Sequence, residues 1–95
     1  MIITHSARND PKELGCRRIG FHEGFDLEAR AVANKGFYGS VPTTNLPELG
    51  PFPNEESTRE ALERILDIYI KYEQNLAKTL KSPEYSAALG EHSIE

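Results

Sequence analysis

Cys16 and His22 are the residues of this sequence that could act together as a nucleophile and a base. Catalysis by a thiol needs an imidazole within hydrogen-bond reach and a third group that orients the imidazole. The sequence indicates neither, and a lone cysteine is more often a small buried apolar residue. We therefore expect no catalytic residues and no enzymatic activity.

Possible metal ligands are scattered along the chain, at His5, Cys16, His22, Glu23 and His92. Zinc sites show paired ligands at short fixed spacings, such as Cys-x₂-Cys or His-x₃-His. Here only His22 and Glu23 are neighbours, and the other potential ligands stand alone. The sequence therefore predicts no metal site.

The glycines of the N-terminal half do not form a phosphate-binding loop. A dinucleotide-binding fingerprint needs glycines at fixed offsets between a strand and a helix, and a Walker loop needs Gly-Lys-Ser/Thr. Three glycines instead precede phenylalanines, at Gly20-Phe21, Gly24-Phe25 and Gly36-Phe37. These rings either fill the core beneath tight turns, which we favour, or tip flexible loops that contact a ligand. No cofactor is expected.

Basic and aromatic residues combine into one candidate ligand site, made of Arg17, Arg18, Phe21, Phe25, Phe37 and Tyr38. Guanidinium groups bind phosphates bidentately, and aromatic rings stack on bases. If these residues meet at a protomer interface, they could hold a nucleotide or another anion. The alternative is a solvated basic pair on an exposed strand.

The elements that would position these side chains begin with a mixed N-terminal layer over residues 1–39. Residues 17–22 could form a strand, and Glu23-Gly24 indicates a turn, where glycine permits a positive φ. Residues 26–35 are ambiguous, because the alternation of Leu27, Ala29 and Ala31 fits a strand. Alanine favours helix by propensity, so we predict a small helix there.

A proline-rich connector follows over residues 40–53, with prolines at 42, 47, 51 and 53. Proline removes a hydrogen-bond donor and biases the preceding residue to extended geometry, so no regular element is expected in it. Apolar residues recur in it at Val41, Leu46, Leu49 and Phe52, and disordered tethers are depleted in such residues. We therefore predict an ordered strap packed against the main helix.

The C-terminal part predicts one long amphipathic helix over residues 54–81. Asn54 and the capping-box sequence Ser57 to Glu60 both indicate its start. Its apolar stripe has helical spacing: Leu62, Ile65, Leu66, Tyr69, Tyr72, Leu76 and Leu80. Ser82-Pro83 ends or kinks the helix, which leaves a short helix over residues 82–90 and a frayed tail over 91–95.

Ile68 and Ile70 fall outside this stripe, so the centre of the predicted helix is apolar around most of its circumference. Such a helix is normally buried on more than one side. The side that the N-terminal layer leaves uncovered would be a partner or self-association face, made of Ile68, Tyr69, Ile70 and Tyr72. The sequence does not decide whether Ile68 and Ile70 belong to the core or to an interface.

The charge balance argues against a protein that binds nucleic acid by neutralising phosphates. The formal net charge is −4: residues 1–53 carry six basic and six acidic side chains, and residues 54–95 carry five and nine. Phosphate-binding domains are usually strongly basic. The lone cysteine cannot form an internal disulfide, no stretch approaches the ~20 apolar residues of a membrane span, and no secretory signal is recognisable. We expect a cytoplasmic protein without membrane association.

Together these features predict a single small domain over residues 1–95 with an α+β fold. A short N-terminal hairpin or irregular layer and a small helix would pack on the long C-terminal helix, and a mainly α helical hairpin is the alternative. We expect a non-enzymatic interaction protein, such as a regulator or a phage-type inhibitor, that binds a protein partner or itself. The alternative function is a homo-oligomer that binds or sequesters a nucleotide or another small anion.

Overall fold

The structure, a computed structural model, describes residues 13–92 of the 95. Four strands come first: β1 (Glu13–His22), β2 (Phe25–Val32), β3 (Gly36–Ser40) and β4 (Leu49–Phe52). Three helices follow: α1 (Glu55–Lys71), α2 (Leu76–Lys81) and α3 (Pro83–His92). The strands form one antiparallel sheet in chain order, so each strand pairs with the next one along the sequence. His5 and residues 93–95, most of the predicted frayed tail, lie outside the described residues.

The segment predicted as a small helix over residues 26–35 is the strand β2. Leu27 and Ala29 are buried, while Glu28 between them and Arg30 after them are only half-buried. The period-two alternation of apolar residues therefore predicts this segment correctly, and the helix propensity of alanine does not. A few tenths of a kcal/mol of helix propensity per residue is easily overridden when both neighbouring strands supply hydrogen bonds and α1 buries one face.

A tight turn at each end of β2 reverses the chain direction, so that β2 is antiparallel to both β1 and β3. Glu23 and Gly24 connect β1 to β2 with φ values of 51° and 88°, the left-handed geometry that two-residue hairpins need. Asn34, with φ of 67°, lies in the turn between β2 and β3, where Lys35 N–H donates to the Val32 carbonyl at 3.0 Å. Residues 34–36, where the predicted small helix would end, thus form a hairpin turn.

The prediction that the proline-rich strap contains no regular element is wrong, because residues 49–52 form β4. This strand lies at an edge of the sheet, where a proline can replace an N–H without breaking a ladder on both sides. Leu49 and Phe52 are buried beneath the helices. The remaining residues, 41–48, form the β3–β4 loop, and the Thr44 hydroxyl donates to the Val41 carbonyl at 2.9 Å.

The single long helix predicted over residues 54–81 is also wrong. α1 begins after the N-cap Asn54, whose side chain accepts a hydrogen bond from Ser57 N–H at 2.8 Å. It ends at Lys71, and the non-helical residues 72–75 separate it from α2. A straight helix of this predicted length would be ~40 Å long and would carry its C-terminal half past the sheet. The break instead returns α3 against α1 and β4.

The break is a C-terminal capping motif made without glycine. Gln74 N–H donates to the Tyr69 carbonyl at 2.7 Å and Glu73 N–H donates to the Ile70 carbonyl at 2.9 Å, the two bonds of a Schellman motif. Glu73 and Gln74 have φ of 58° and 60°. Asn75 then caps α2, since its side chain accepts from Lys78 N–H at 3.0 Å.

The core lies between the inner face of the sheet and the helices. α1 contacts all four strands, whereas α3 contacts α1 and the edge strand β4. The fully buried large side chains are Leu27, Val41, Phe52, Thr58, Leu62, Ile65, Leu66 and Thr79. α1 and α3 therefore cover the sheet, whereas α2 contacts only these two helices.

The fold is α+β, a four-stranded antiparallel meander with three short helices, of which α1 and α3 pack on the sheet. The predicted arrangement around one long C-terminal helix is contradicted, and so is the mainly α alternative. Among the described residues, no helix is long and apolar enough to cross a lipid bilayer.

Candidate functional site

The outer face of the sheet is the side that points away from α1, and within residues 13–92 no element lies over it. Its side chains come from β1, β2 and β3, and a register shift in β1 between Arg18 and Gly20 brings Phe21 to the same face as Arg18. We call it the open face and define it as Cys16, Arg18, Phe21, Asp26, Glu28, Arg30 and Tyr38. Antiparallel sheets commonly leave one face in water, and the residues on that face are then mainly polar. The open face departs from this rule by carrying two aromatic rings.

Phe21 is the more exposed of these rings, with 59% of its surface accessible. It stands near the end of β1, directly opposite Asp26 on β2. The guanidinium carbon of Arg18 lies 5.7 Å from the centroid of the ring, within the range of a cation–π contact. Arg18 Nε also pairs with Asp26 Oδ1 at 3.2 Å, so the arginine is held beside the ring.

Tyr38 forms a second arginine–aromatic pair with Arg30, its direct partner across β2 and β3. The Arg30 guanidinium carbon lies 5.2 Å from the ring centroid. Arg30 also donates to both carboxylate oxygens of Glu48, at 2.7 Å from Nε and 3.0 Å from Nη2. The loop residue Glu48 thereby holds the guanidinium against the sheet.

The structure divides the predicted nucleotide or anion site between the two sides of the sheet. Arg18, Phe21 and Tyr38 lie on the open face, as described above. Phe25 and Phe37 are half-buried and pack against the core, as favoured for the Gly-Phe pairs. The exposed Phe21 contradicts that expectation for Gly20-Phe21. Period-two alternation is the physical reason for the division, because neighbouring residues of a strand point to opposite faces.

Arg17 lies on the inner side, where it binds the first turn of α1. Its Nε and Nη2 each donate to the Glu55 carboxylate at 2.7 Å. This bidentate pair raises the pKa of Arg17 and holds the pKa of Glu55 below its usual range, in both cases chiefly through the hydrogen bond. A bound anion would have to displace the carboxylate, so the geometry favours a structural role for Arg17.

Cys16 and His22 do not meet as a nucleophile and a base. They are six positions apart on the same strand, which is roughly 20 Å. The Cys16 thiol donates instead to Glu28 Oε1 at 3.5 Å. Partial burial, followed by this bond and the carboxylate charge, raises the pKa of the thiol above its ordinary value. A raised pKa lowers the thiolate fraction, which is the reactive form.

The predicted partner face on the helix is split as well. Ile68 and Tyr69 lie in the core and are 7% and 5% exposed, whereas Ile70 is 37% exposed. Tyr72 is half-buried after the end of α1, and its hydroxyl donates to Glu84 at 3.3 Å. Only Ile70 and the edge of Tyr72 can therefore be reached from outside the folded chain.

His22 has a tertiary neighbour that sequence reasoning missed. Its Nε2 lies 2.8 Å from Oδ1 of Asp67 on α1, and Glu23 adds a second carboxylate within 4.8 Å. Nothing in the sequence relates Asp67 to a residue 45 positions earlier. Its position on the same helix face as Glu60 and Glu63 is the one signal that indicates a carboxylate-rich surface.

Comparisons with protein-family models, with curated proteins and with solved structures found no match to this chain.

Proposed function

We propose that this chain is a small non-enzymatic interaction protein that binds a protein partner through the open face of its sheet. Binding there would make it a regulator or an inhibitor of that partner, by occupying the partner's surface. The observation that carries the proposal is the pairing of Arg18 with a phenylalanine that is 59% exposed.

Exposure of Phe21 costs free energy that a partner would recover. A phenylalanine side chain buries on the order of 200 Å² when it is covered. At about 25 cal/mol per Å², covering the exposed fraction of this ring would contribute roughly 2–3 kcal/mol to binding. Aromatic and arginine side chains are also enriched at the energetic centres of protein interfaces. The open face has two arginine–aromatic pairs, Arg18 with Phe21 and Arg30 with Tyr38.

The charges of this face favour a protein over a nucleic acid. Arg18 and Arg30 are its basic residues, and each is paired with a carboxylate, as the preceding distances show. Glu28 adds further negative charge nearby. A surface that neutralises phosphates needs a net positive charge, which this one lacks. The same pairing weakens the alternative of a nucleotide-binding or anion-sequestering oligomer.

The cytoplasm is the compartment in which we propose that this interaction takes place. Cys16 is exposed and carries a free thiol. Thiols persist in reducing compartments, whereas secreted proteins usually pair them as disulfides.

The test compares what the folded protein and two matched variants capture. Phe21→Ser removes the exposed ring of the open face, and Ile70→Ser removes an exposed apolar residue of α1 on the other side of the molecule. Both positions are solvent-accessible, so both variants are expected to fold, which circular dichroism checks. Proteins crosslinked in cell extract to wild-type chain and to each variant are quantified by mass spectrometry, and light scattering of purified chain measures self-association.

We expect one protein, or a second copy of this chain, to be bound by wild type and Ile70→Ser and lost in Phe21→Ser. A partner lost only in Ile70→Ser would place the interaction on the helix side and contradict the open face. A partner bound equally by all three chains would contradict both surfaces. A response of thermal stability to nucleotides, abolished by Arg18→Gln, would favour the anion-binding alternative.

A further inference from the structure

The tip of the β1–β2 hairpin and the middle of α1 enclose an acidic cleft of about 310 Å³. It is lined by His22 from the hairpin and by four charged residues of the helix: Glu60, Glu63, Arg64 and Asp67. Glu23 stands next to His22 at the rim. The proposed function does not use any of these residues.

We propose that His22, Glu23 and Asp67 form a binding site for a divalent transition metal of the Zn²⁺ class. One ligand atom from each residue lies within 4.8 Å of the other two. The set combines an imidazole nitrogen with two carboxylate oxygens. Imidazole favours zinc and its neighbours in the transition series, whereas magnesium and calcium prefer oxygen ligands alone.

The spacing of the three ligand atoms is close to what one ion requires. Ligand atoms bound at about 2.0–2.2 Å can be no more than about 4.4 Å apart. His22 Nε2 and Asp67 Oδ1 are already 2.8 Å apart. The Glu23 side chain is exposed and long, so a rotation about its side-chain bonds can bring its carboxylate into range without moving the backbone. Three protein ligands would leave the remaining coordination positions to water.

The charge of the cleft favours a cation. Three carboxylates, from Glu60, Glu63 and Asp67, line the cleft with His22 and Arg64. The Glu23 carboxylate is the fourth, within 4.8 Å of the ligand atoms of His22 and Asp67. Arg59 offsets part of this charge by pairing with Glu63 at 3.2 Å. The local excess is negative, and nearby negative charge raises the concentration of cations at a cleft.

A metal ion bound at this site would connect two elements of the fold. His22 and Glu23 belong to the hairpin, whereas Asp67 belongs to α1. An ion held by all three would crosslink the sheet layer to the helix layer at the end where β1 reverses. Because the site exists only in the folded chain, binding would also stabilise the fold.

The experiment titrates Zn²⁺ into metal-free protein by isothermal calorimetry and follows the ring nitrogens of the histidines by NMR. We expect one ion per chain, with the largest shifts at the His22 ring, and a rise in the thermal unfolding temperature. Removing a first ligand, in His22→Ala, should weaken binding by at least the roughly 10–100-fold that loss of an outer partner costs. Glu23→Gln and Asp67→Asn should weaken it in the same direction without changing side-chain size.

The controls separate this site from the other metal-binding groups of the chain. Glu56→Gln removes an exposed carboxylate near the opposite end of α1, and Cys16→Ser and His92→Ala remove other possible ligands. All three should bind Zn²⁺ as the wild type does. Absence of saturable binding, equal affinity in His22→Ala, or loss of binding in Cys16→Ser or His92→Ala would overturn the assignment. None of these outcomes depends on which surface binds a protein partner.

Discussion

Gly39 on β3 lies directly beneath Thr58 on α1, so closely that a Cβ atom on the glycine would be 2.6 Å from Thr58 Cγ2. The same added Cβ would be 3.0 Å from Cδ1 of Leu62, one helical turn further along α1. The Thr58 side chain cannot easily rotate away, because its hydroxyl donates to the Asn54 carbonyl at 2.8 Å and the residue is fully buried. α1 therefore packs closely against β3 at Gly39 because this residue has no side chain.

Replacing this glycine should destabilise the protein. In Gly39→Ala the added methyl group must push α1 outward or force Thr58 from its rotamer. Overpacking of this kind costs about 1–3 kcal/mol, which urea denaturation monitored by circular dichroism would detect as a lower midpoint.

Gly90→Ala is the matched control for that substitution. Gly90 lies in α3, and no heavy atom stands within 4 Å of the position that its Cβ would take. Alanine there should raise the free energy of unfolding, by up to about 1 kcal/mol. Equal effects at the two positions would contradict the close contact between β3 and α1.

The turn between α1 and α2 should become more stable with glycine at its left-handed position. Glu73, with φ of 58°, occupies the position of the Schellman motif where glycine is usual. Glu73→Gly relieves the contact between Cβ and the following carbonyl, although it makes the unfolded chain more flexible. We expect a net gain of about 0.5–1 kcal/mol in thermal or urea unfolding.

The same substitution within the helix should have the opposite sign. Glu60 is exposed in the interior of α1, and Glu60→Gly should cost about 1 kcal/mol. A loss of stability in both variants would mean that residues 72–75 are helical in solution and that α1 continues into α2.

The contact between Arg17 and Glu55 should make part of the stability depend on pH. The folded-state pKa of Glu55 is held below its usual range by the hydrogen bond from Arg17. A carboxylate with a lowered pKa stabilises the fold above its unfolded-state pKa, and this contribution is lost as the pH falls through the folded-state value. The difference in unfolding free energy between wild type and Arg17→Gln should therefore be present at neutral pH and disappear in strong acid.

That difference is expected to be small, since the Arg17 side chain is 71% exposed and solvent screens the pair. Added salt should reduce it further at neutral pH. If the difference instead persists unchanged at acid pH, then the aliphatic stem of Arg17 stabilises the fold by packing, and the ion pair contributes nothing measurable.

Cys16 should react slowly with iodoacetamide, and Glu28 should be part of the reason. Burial, and then the hydrogen bond and charge of Glu28, raise the pKa of the thiol. Alkylation rates measured against pH should rise at a higher pH than for an unperturbed thiol. In Glu28→Gln the carboxylate charge is removed, so the midpoint should move down while the effect of burial remains.

Glu63→Gln, on the helix layer, is the control, and its profile should match that of the wild type. A midpoint unaffected by Glu28→Gln would show that Glu28 does not contribute to the raised pKa of the thiol.

Local signals in the sequence identify several ends of elements but not the elements between them. Glu23-Gly24 and Asn54 mark a turn and a helix start, because the geometry that these residues favour depends only on their immediate neighbours. Alanine-rich β2 was predicted as helix, since its strand pairing comes from β1 and β3 and no local term reports it. The break at Glu73 and Gln74 was missed because both residues favour helix by local propensity, whereas the turn there accompanies a tertiary contact of α3 with α1.

The candidate sites divide in the same way. The sequence by itself determined which side chains could contact a ligand, including Arg18, Phe21 and Tyr38, because residue type sets what a group can bind. Only the tertiary structure decided which of them share a surface, since the alternation of the strands turned Phe25 and Phe37 inward. It alone brought Asp67 to His22, because contacts between residues 45 positions apart depend on how the sheet and the helix pack together.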